Sequence, residues 1–140
     1  MYLYDTAGQQ DFANIAKMTV KNFKTDKRQQ NALCFVFDCT DRDSFEWLYT
    51  IIPEFTGLQK RNRTAIIVLA NKIDLIGTKD RNNKNLTNVA TPGDVEAIRK
   101  KFGIDHYIPI SALRGSNIDQ FVKVLTGLFS NKRGGSCISK

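Results

Sequence analysis

The sequence predicts an α/β domain built on a parallel sheet with helices on both faces, and three observations carry that expectation. Short apolar runs at Ala32 to Phe37, Ala65 to Ala70 and Tyr107 to Ile110 read as buried strands. Amphipathic helical patterns alternate with them, as they do where parallel strands are joined by crossovers. At 140 residues with 41% hydrophobic content, the chain has the size of one domain and can bury a core.

In chain order, the first apolar stretch is Tyr2-Leu3-Tyr4, which runs straight into Asp5-Thr6-Ala7-Gly8-Gln9. The polar segment from about Lys17 to Gln30 has the composition of a loop and precedes the strand Ala32 to Phe37. After that strand, Thr40-Asp41-Arg42-Asp43 offers a capping box with Thr40 as cap. The helix it opens carries an apolar face of Phe45, Leu48, Tyr49, Ile52 and Phe55, with Pro53 interrupting its later half. Following the strand Ala65 to Ala70, a second polar segment from Gly77 to Ala90 is long enough to be irregular or mobile. A helix start is clearest at Thr91, with Pro92 in the first helical position, Asp94 three residues after the cap and Gly103 beyond the last residue, Phe102. The last helix is expected from about Asn117 to Phe129, burying Ile118, Phe121, Val122, Leu125 and Phe129.

The net charge of +7 arises from basic clusters at 24–28, 60–63, 79–84, 99–101 and 132–133. No aromatic platform or basic recognition helix accompanies them, so they read as solvated faces, and specific nucleic-acid binding is not expected. Anionic membrane surfaces remain a natural partner for such a charge. Three cysteines, Cys34, Cys39 and Cys137, make no disulfide framework, and a reducing cytosol suits them. Cys34, inside an apolar run, reads as a small buried hydrophobe.

Two stretches carry chemistry. Asp5 to Gln9 sets a carboxylate, a glycine that lets backbone approach a ligand, and a glutamine within one turn after an apolar run. The second stretch, Asn71-Lys72-Ile73-Asp74, follows the strand Ala65 to Ala70, at the carboxyl end where open parallel sheets bind ligands. An ionised Asp74 can accept two hydrogen bonds from the imino and exocyclic amino hydrogens of guanine, a donor pair that adenine lacks. The amide of Asn71 can fix the loop and reach the base edge, and the aliphatic stem of Lys72 can cover a ring face. Ser111-Ala112-Leu113, after the last strand, offers backbone amides to the carbonyl oxygen of the same base. Each piece alone has a plainer reading, as a capped loop or a polar turn.

In this order the three motifs resemble the Ras-like small GTPases, and Phe12 to Ile15 and Val36 to Phe45 are most like the Rab and Ras branches. The resemblance covers essentially the whole chain and implies a three-layer P-loop GTPase-like fold, incomplete at its N-terminal end, over residues 1–130, with a short basic flexible tail at 131–140. It implies GTP and GDP as ligands with Mg²⁺ as cofactor, and a molecular switch that hydrolyses GTP to GDP and phosphate. By the same resemblance Asp5 holds Mg²⁺ through water, Thr6, Ala7 and Gly8 lie at the phosphates, the Gly8 amide touches the γ-phosphate, and Gln9 orients the attacking water as the catalytic residue. Asn71, Lys72, Asp74, Ser111, Ala112 and Leu113 are its guanine-binding residues. Residues following Gln9, through about Met18, are the expected mobile switch. Exchange factors, GTPase-activating proteins and effectors are the implied partners. The implied location is cytoplasmic, with peripheral contact on the cytosolic face of a membrane.

The sequence also departs from that family. No Gly-x-x-x-x-Gly-Lys-Ser/Thr loop occurs in the 140 residues. Losing three charge-assisted phosphate and metal contacts at about 2 kcal/mol each removes about 6 kcal/mol, more than four powers of ten in affinity. Base recognition can survive such a loss while triphosphate binding fails. In the family a further strand lies between the strand ending at Asp5 and Ala32 to Phe37, so the isolated chain is expected to be poorly stable or prone to association. Thr19 to Gln30 is longer than usual and lacks the family's paired tyrosines, Leu113 stands where a lysine is common, and Gly77 to Ala90 is enlarged. Cys137, fourth from the end and preceded by Lys132-Arg133, sits where a prenylated cysteine would, although Ser139 and Lys140 fit that signal poorly. Lipidation and a plain exposed thiol therefore both stay open. The alternative to a switch is a non-catalytic, GTPase-like module that binds a partner without nucleotide.

Overall fold

In a computed structural model, residues 5, 31–55 and 64–130 are described. Three parallel strands form one sheet: β1 (Asn31–Asp38), β2 (Thr64–Asn71) and β3 (His106–Pro109), in the order β1-β2-β3. The register sets Asp38 beside Asn71 and Ala70 beside Pro109, so the carboxyl ends of all three strands meet at one edge. The strands predicted at Ala32 to Phe37, Ala65 to Ala70 and Tyr107 to Ile110 are present, each within a residue or so of its expected bounds, while residues 1–4 of the strand expected to end at Asp5 lie outside the described residues.

β2 is the central strand, and its burial shows it. Ile66, Ile67, Val68, Leu69 and Ala70 are all buried, which only a strand covered on both faces requires. One face packs Ile66, Val68, Ala70 and Phe37 against α1 (Arg42–Ile51) and α2 (Pro92–Phe102) through Phe45, Leu48, Ile98 and Phe102. Aromatic contacts knit that layer: the rings of Phe37 and Phe45 lie 5.2 Å apart and those of Tyr49 and Phe102 5.7 Å apart. The other face packs Ile67, Leu69, Ile108 and Ile110 against α3 (Ile118–Ser130). Helices on both faces complete the three layers.

Local rules explain the helix ends. α2 has the full capping box, Thr91 Oγ1 accepting from Asp94 N–H while Asp94 accepts from Thr91 N–H, with Pro92 in the first turn. Gly103 closes it at φ 64°, a left-handed conformation that glycine adopts without a Cβ penalty. α1 ends at Ile51 and helical backbone resumes at Pro53, as the missing proline N–H demands.

Three expectations need correction. The cap of α1 is Asp41, whose carboxylate accepts from Asp43 N–H, because the Thr40 hydroxyl is drawn to Asp38 instead. α3 presents Ile118, Phe121, Val124, Leu125 and Leu128 to the sheet, leaving Val122 and Phe129 exposed; residues 121, 124, 125 and 128 keep the helical phase and 122 and 129 do not. Cys34 is exposed, and so is Val36; of β1, Ala32 packs against the cluster that α3 covers, and these two do not. The segment from Gly77 to Ala90 is irregular, as expected, and carries its own hydrogen bonds: Gly77 N–H donates to Leu86 O, Asp80 Oδ1 accepts from Asn82 and Lys84 N–H, and Val89 N–H donates to Cys39 O.

Candidate functional site

The strand ends converge on a cluster made by Asn71, Lys72, Asp74 and Ser111 to Leu113, joined by a residue the sequence did not flag, Asp38. β2 leads into Asn71, and Lys72 then turns the chain with φ 68° and ψ 31°, a left-handed conformation uncommon outside glycine. That turn lets Ile73 N–H donate to Ile110 O at 3.2 Å and starts the short 3₁₀ turn Ile73–Leu75 that carries Asp74. Asn71 Oδ1 accepts from Ala112 N–H at 3.0 Å, tying the loop after β2 to the loop after β3.

Ser111 is fully buried and its hydroxyl is doubly used. It donates to Asp74 Oδ1 at 2.5 Å and accepts from Arg114 N–H at 3.1 Å, so no buried polar atom is orphaned. The loop is closed by Ser111 N–H donating to Ser116 O, with Gly115 at φ 72° and Asn117 at φ 59° providing the left-handed turns. Asn117 Nδ2 then donates to Pro109 O at 2.8 Å, fixing the loop to β3.

Asp74 Oδ2 and the Leu113 N–H are among the groups of this cluster that have no hydrogen-bond partner among the described residues. A half-buried carboxylate with one oxygen held by a hydroxyl and the other open is an acceptor for a planar donor pair. The expectation that all three amides of Ser111, Ala112 and Leu113 stand ready for a ligand is narrowed, since those of Ser111 and Ala112 already have protein acceptors. The Leu113 side chain is 84% exposed and touches no core.

Asp38, at the end of β1, pairs with Lys72 through an Oδ2–Nζ contact of 2.7 Å. Its Oδ1 accepts from both Thr40 N–H at 2.9 Å and the Thr40 hydroxyl at 2.7 Å. Burial works to raise the Asp38 pKa, but the hydrogen bonds from Lys72 and Thr40 and the lysine charge outweigh it and hold the carboxyl below its ordinary value. The hydrogen bond to Asp38 and its charge raise Lys72 correspondingly. Next to them, burial followed by the Asp38 charge pushes the Cys39 thiol up. The signal that could have revealed Asp38 is its place at a strand end, two residues before a hydroxyl that can lock its carboxylate.

Of the amino-terminal group, Asp5 is exposed, while Thr6, Ala7, Gly8 and Gln9 lie outside the described residues, as does Cys137. Among the described residues no cluster of three or more His, Cys, Asp or Glu side chains could hold a metal, and no helix is long and apolar enough to cross a membrane. A hollow on α1 lined by Asp43, Glu46, Trp47, Tyr49 and Thr50 contains none of the predicted site residues.

A parallel three-layer α/β fold with this loop cluster at its carboxyl edge has the architecture of a partial Ras-like P-loop GTPase. The Ras family model matches residues 1–130, and the chain belongs to the Ras family. Ras-related protein Rab-26 of Mus musculus is 27% identical over 119 residues, 85% of this chain and 39% of that protein. Ras-like protein rasB of Dictyostelium discoideum is 27% identical over 118 residues, 84% of this chain and 51% of that protein. A Probable Rab-related GTPase of Acanthamoeba polyphaga mimivirus is 37% identical over 81 residues, 58% of this chain and 32% of that protein. The chain thus spans about half or less of the length of these relatives.

Proposed function

We propose that this chain binds guanine nucleotides and selects the base through Asp74, as part of a switch that hydrolyses GTP to GDP and phosphate. One observation carries the reading: Asp74 Oδ1 is held by the buried Ser111 hydroxyl while Oδ2 is open, at the edge where all three strands end. In that position the carboxylate accepts from the guanine imino and amino hydrogens, and the Leu113 amide is available to the base carbonyl. Asn71 fixes the two loops against each other, Ser111 orients Asp74, and the Lys72 stem covers the ring.

Phosphate chemistry belongs to the amino-terminal group. Asp5, an exposed carboxylate, suits the hard Mg²⁺ ion, which keeps several waters and takes one or two carboxylates together with substrate phosphates. When bound, Mg²⁺ supplies positive charge at the phosphate oxygens. Gln9 is proposed to orient the attacking water, with Gly8 offering its amide to the γ-phosphate and Thr6 and Ala7 contributing to the phosphate site. The switch reading places the protein in the cytosol with peripheral membrane contact, served by exchange factors, GTPase-activating proteins and effectors. Cys137 is a proposed lipid attachment point beside the basic pair Lys132-Arg133.

Isothermal calorimetry of the 140-residue protein with GDP and ADP tests the reading. Saturable binding of GDP at least tenfold tighter than ADP supports it, and equal binding of the two, or binding of neither, refutes it.

A further inference from the structure

The ion pair between Asp38 and Lys72 has no part in the base contacts proposed above, yet its geometry bears on them. Lys72 is the residue proposed to lie along the purine, and its side chain is 52% exposed. A lysine stem so placed ordinarily samples many rotamers, and each binding event must then order it. Here its ammonium is caught 2.7 Å from Asp38 Oδ2.

The carboxylate that catches it is itself held by hydrogen bonds. Two Thr40 donors hold Oδ1, the Ser44 hydroxyl accepts from Asp38 N–H at 3.0 Å, and only 20% of the Asp38 side chain is exposed. The parallel register sets Asp38 beside Asn71, one residue before Lys72, so the pairing is fixed by the sheet rather than by a flexible loop. At the other end of the stem, the Lys72 backbone is held in its left-handed turn. Both ends of the lysine are therefore tethered, and the carbons between them form the covering surface.

We propose that Asp38 is a positioning residue for nucleotide binding, which acts by holding the Lys72 side chain in the extended geometry that covers the guanine ring. The inference rests on the guanine-binding reading. Asp38 touches no nucleotide in it and works through Lys72. Asp94 and Glu46 engage Arg42 instead, and the charges of Asp41 and Asp74 reach Lys72 more weakly than that of Asp38.

A double-mutant cycle on the full 140-residue chain tests it, using GDP as the probe in calorimetry. D38N keeps an oxygen for the Thr40 donors and turns an amide donor toward the ammonium. Freeing one rotamer-rich side chain weakens GDP binding by about five- to tenfold. In a K72M background, where the stem remains and the charge is gone, adding D38N changes GDP affinity less than twofold. A D38N effect that persists undiminished with K72M would overturn the inference and assign Asp38 a purely structural role, and unchanged GDP affinity in D38N would overturn it as well. Failure of the parent chain to bind GDP overturns the guanine-binding reading and this inference with it, an outcome distinct from the other two. Should D38N fail to fold, T40V removes one of the two Oδ1 donors and leaves both charges in place. A two- to threefold loss of GDP affinity in T40V, abolished by K72M, then supports the inference, and no loss overturns it.

Discussion

Replacing Ser111 with alanine removes the hydroxyl on which the geometry of Asp74 depends. The side chain is 0% exposed, so water does not take its place. Its donation to Asp74 at 2.5 Å is charge-assisted, a class of bond that contributes about 1.5–3 kcal/mol. The Arg114 N–H loses its acceptor too, but it lies on an exposed loop where water replaces part of that bond. The expected cost of S111A is therefore about 2–3 kcal/mol. For a chain of this size, each kcal/mol lowers Tm by about 3–4 °C, giving a fall of roughly 6–12 °C. Thermal unfolding followed by far-ultraviolet circular dichroism measures that fall, and S111C, which keeps the volume and a weak donor, should land between parent and S111A. With Asp74 no longer oriented, GDP binding should weaken about tenfold, equivalent to ~1.4 kcal/mol. A Tm within 2 °C of the parent would refute the premise that Ser111 carries this load, whatever the nucleotide data show.

Three further outcomes follow from the same structure. Because the folded-state pKa of Asp38 is depressed and that of Lys72 raised, the stability contributed by their pair is fully present near neutrality. It is lost as pH falls below the ordinary carboxylate value of about 4, and again as pH rises beyond about 10.5. For a pair this exposed the amount is only about 0.5 kcal/mol, so denaturant titrations at pH 3 and pH 6 should show D38N losing less on acidification than the parent. Thr91→Ala breaks the α2 capping box and should cost about 1 kcal/mol in the same titrations at neutral pH. Phe45→Ala empties a fully buried site against Phe37 and Tyr49 and should cost about 3–5 kcal/mol, enough that a variant retaining the parent Tm would contradict the packing described.

Much of the fold was legible because its signals are local. The capping box at Thr91, Pro92 and Asp94 and the glycine after Phe102 depend on residues within one helix, and all stand where the sequence puts them. The strand runs were visible as unbroken apolar stretches, and Ile66 to Ala70 are buried on both faces as such a run implies. What failed depended on neighbours that a linear reading does not see. Cys34 sits in an apolar run, yet the packing of neighbouring elements decides whether that part of β1 is covered. Val122 and Phe129 are apolar enough for a core but lie off the phase set by Phe121, Leu125 and Leu128. At the site, Asn71, Asp74 and Ser111 were identified by their strand-end positions, and the structure brings them within hydrogen-bonding reach of one another or of the facing loop. The Asp38–Lys72 pair was not legible, because 34 residues separate the partners and only the parallel register makes them adjacent.

The central claim is that Asp74 reads the guanine edge, and Asp74→Asn tests it most directly. Replacing the carboxylate with an amide removes one of two acceptors and offers a donor to the position of the guanine amino group, while xanthine carries a carbonyl there. Two charge-assisted bonds at about 1.5–2 kcal/mol each are at stake, so GDP affinity should fall by roughly a hundredfold or more. Calorimetry of parent and D74N with GDP and xanthosine diphosphate gives the answer. The account predicts a parent that prefers GDP and a variant that prefers xanthosine diphosphate; a variant binding GDP as tightly as the parent would contradict it.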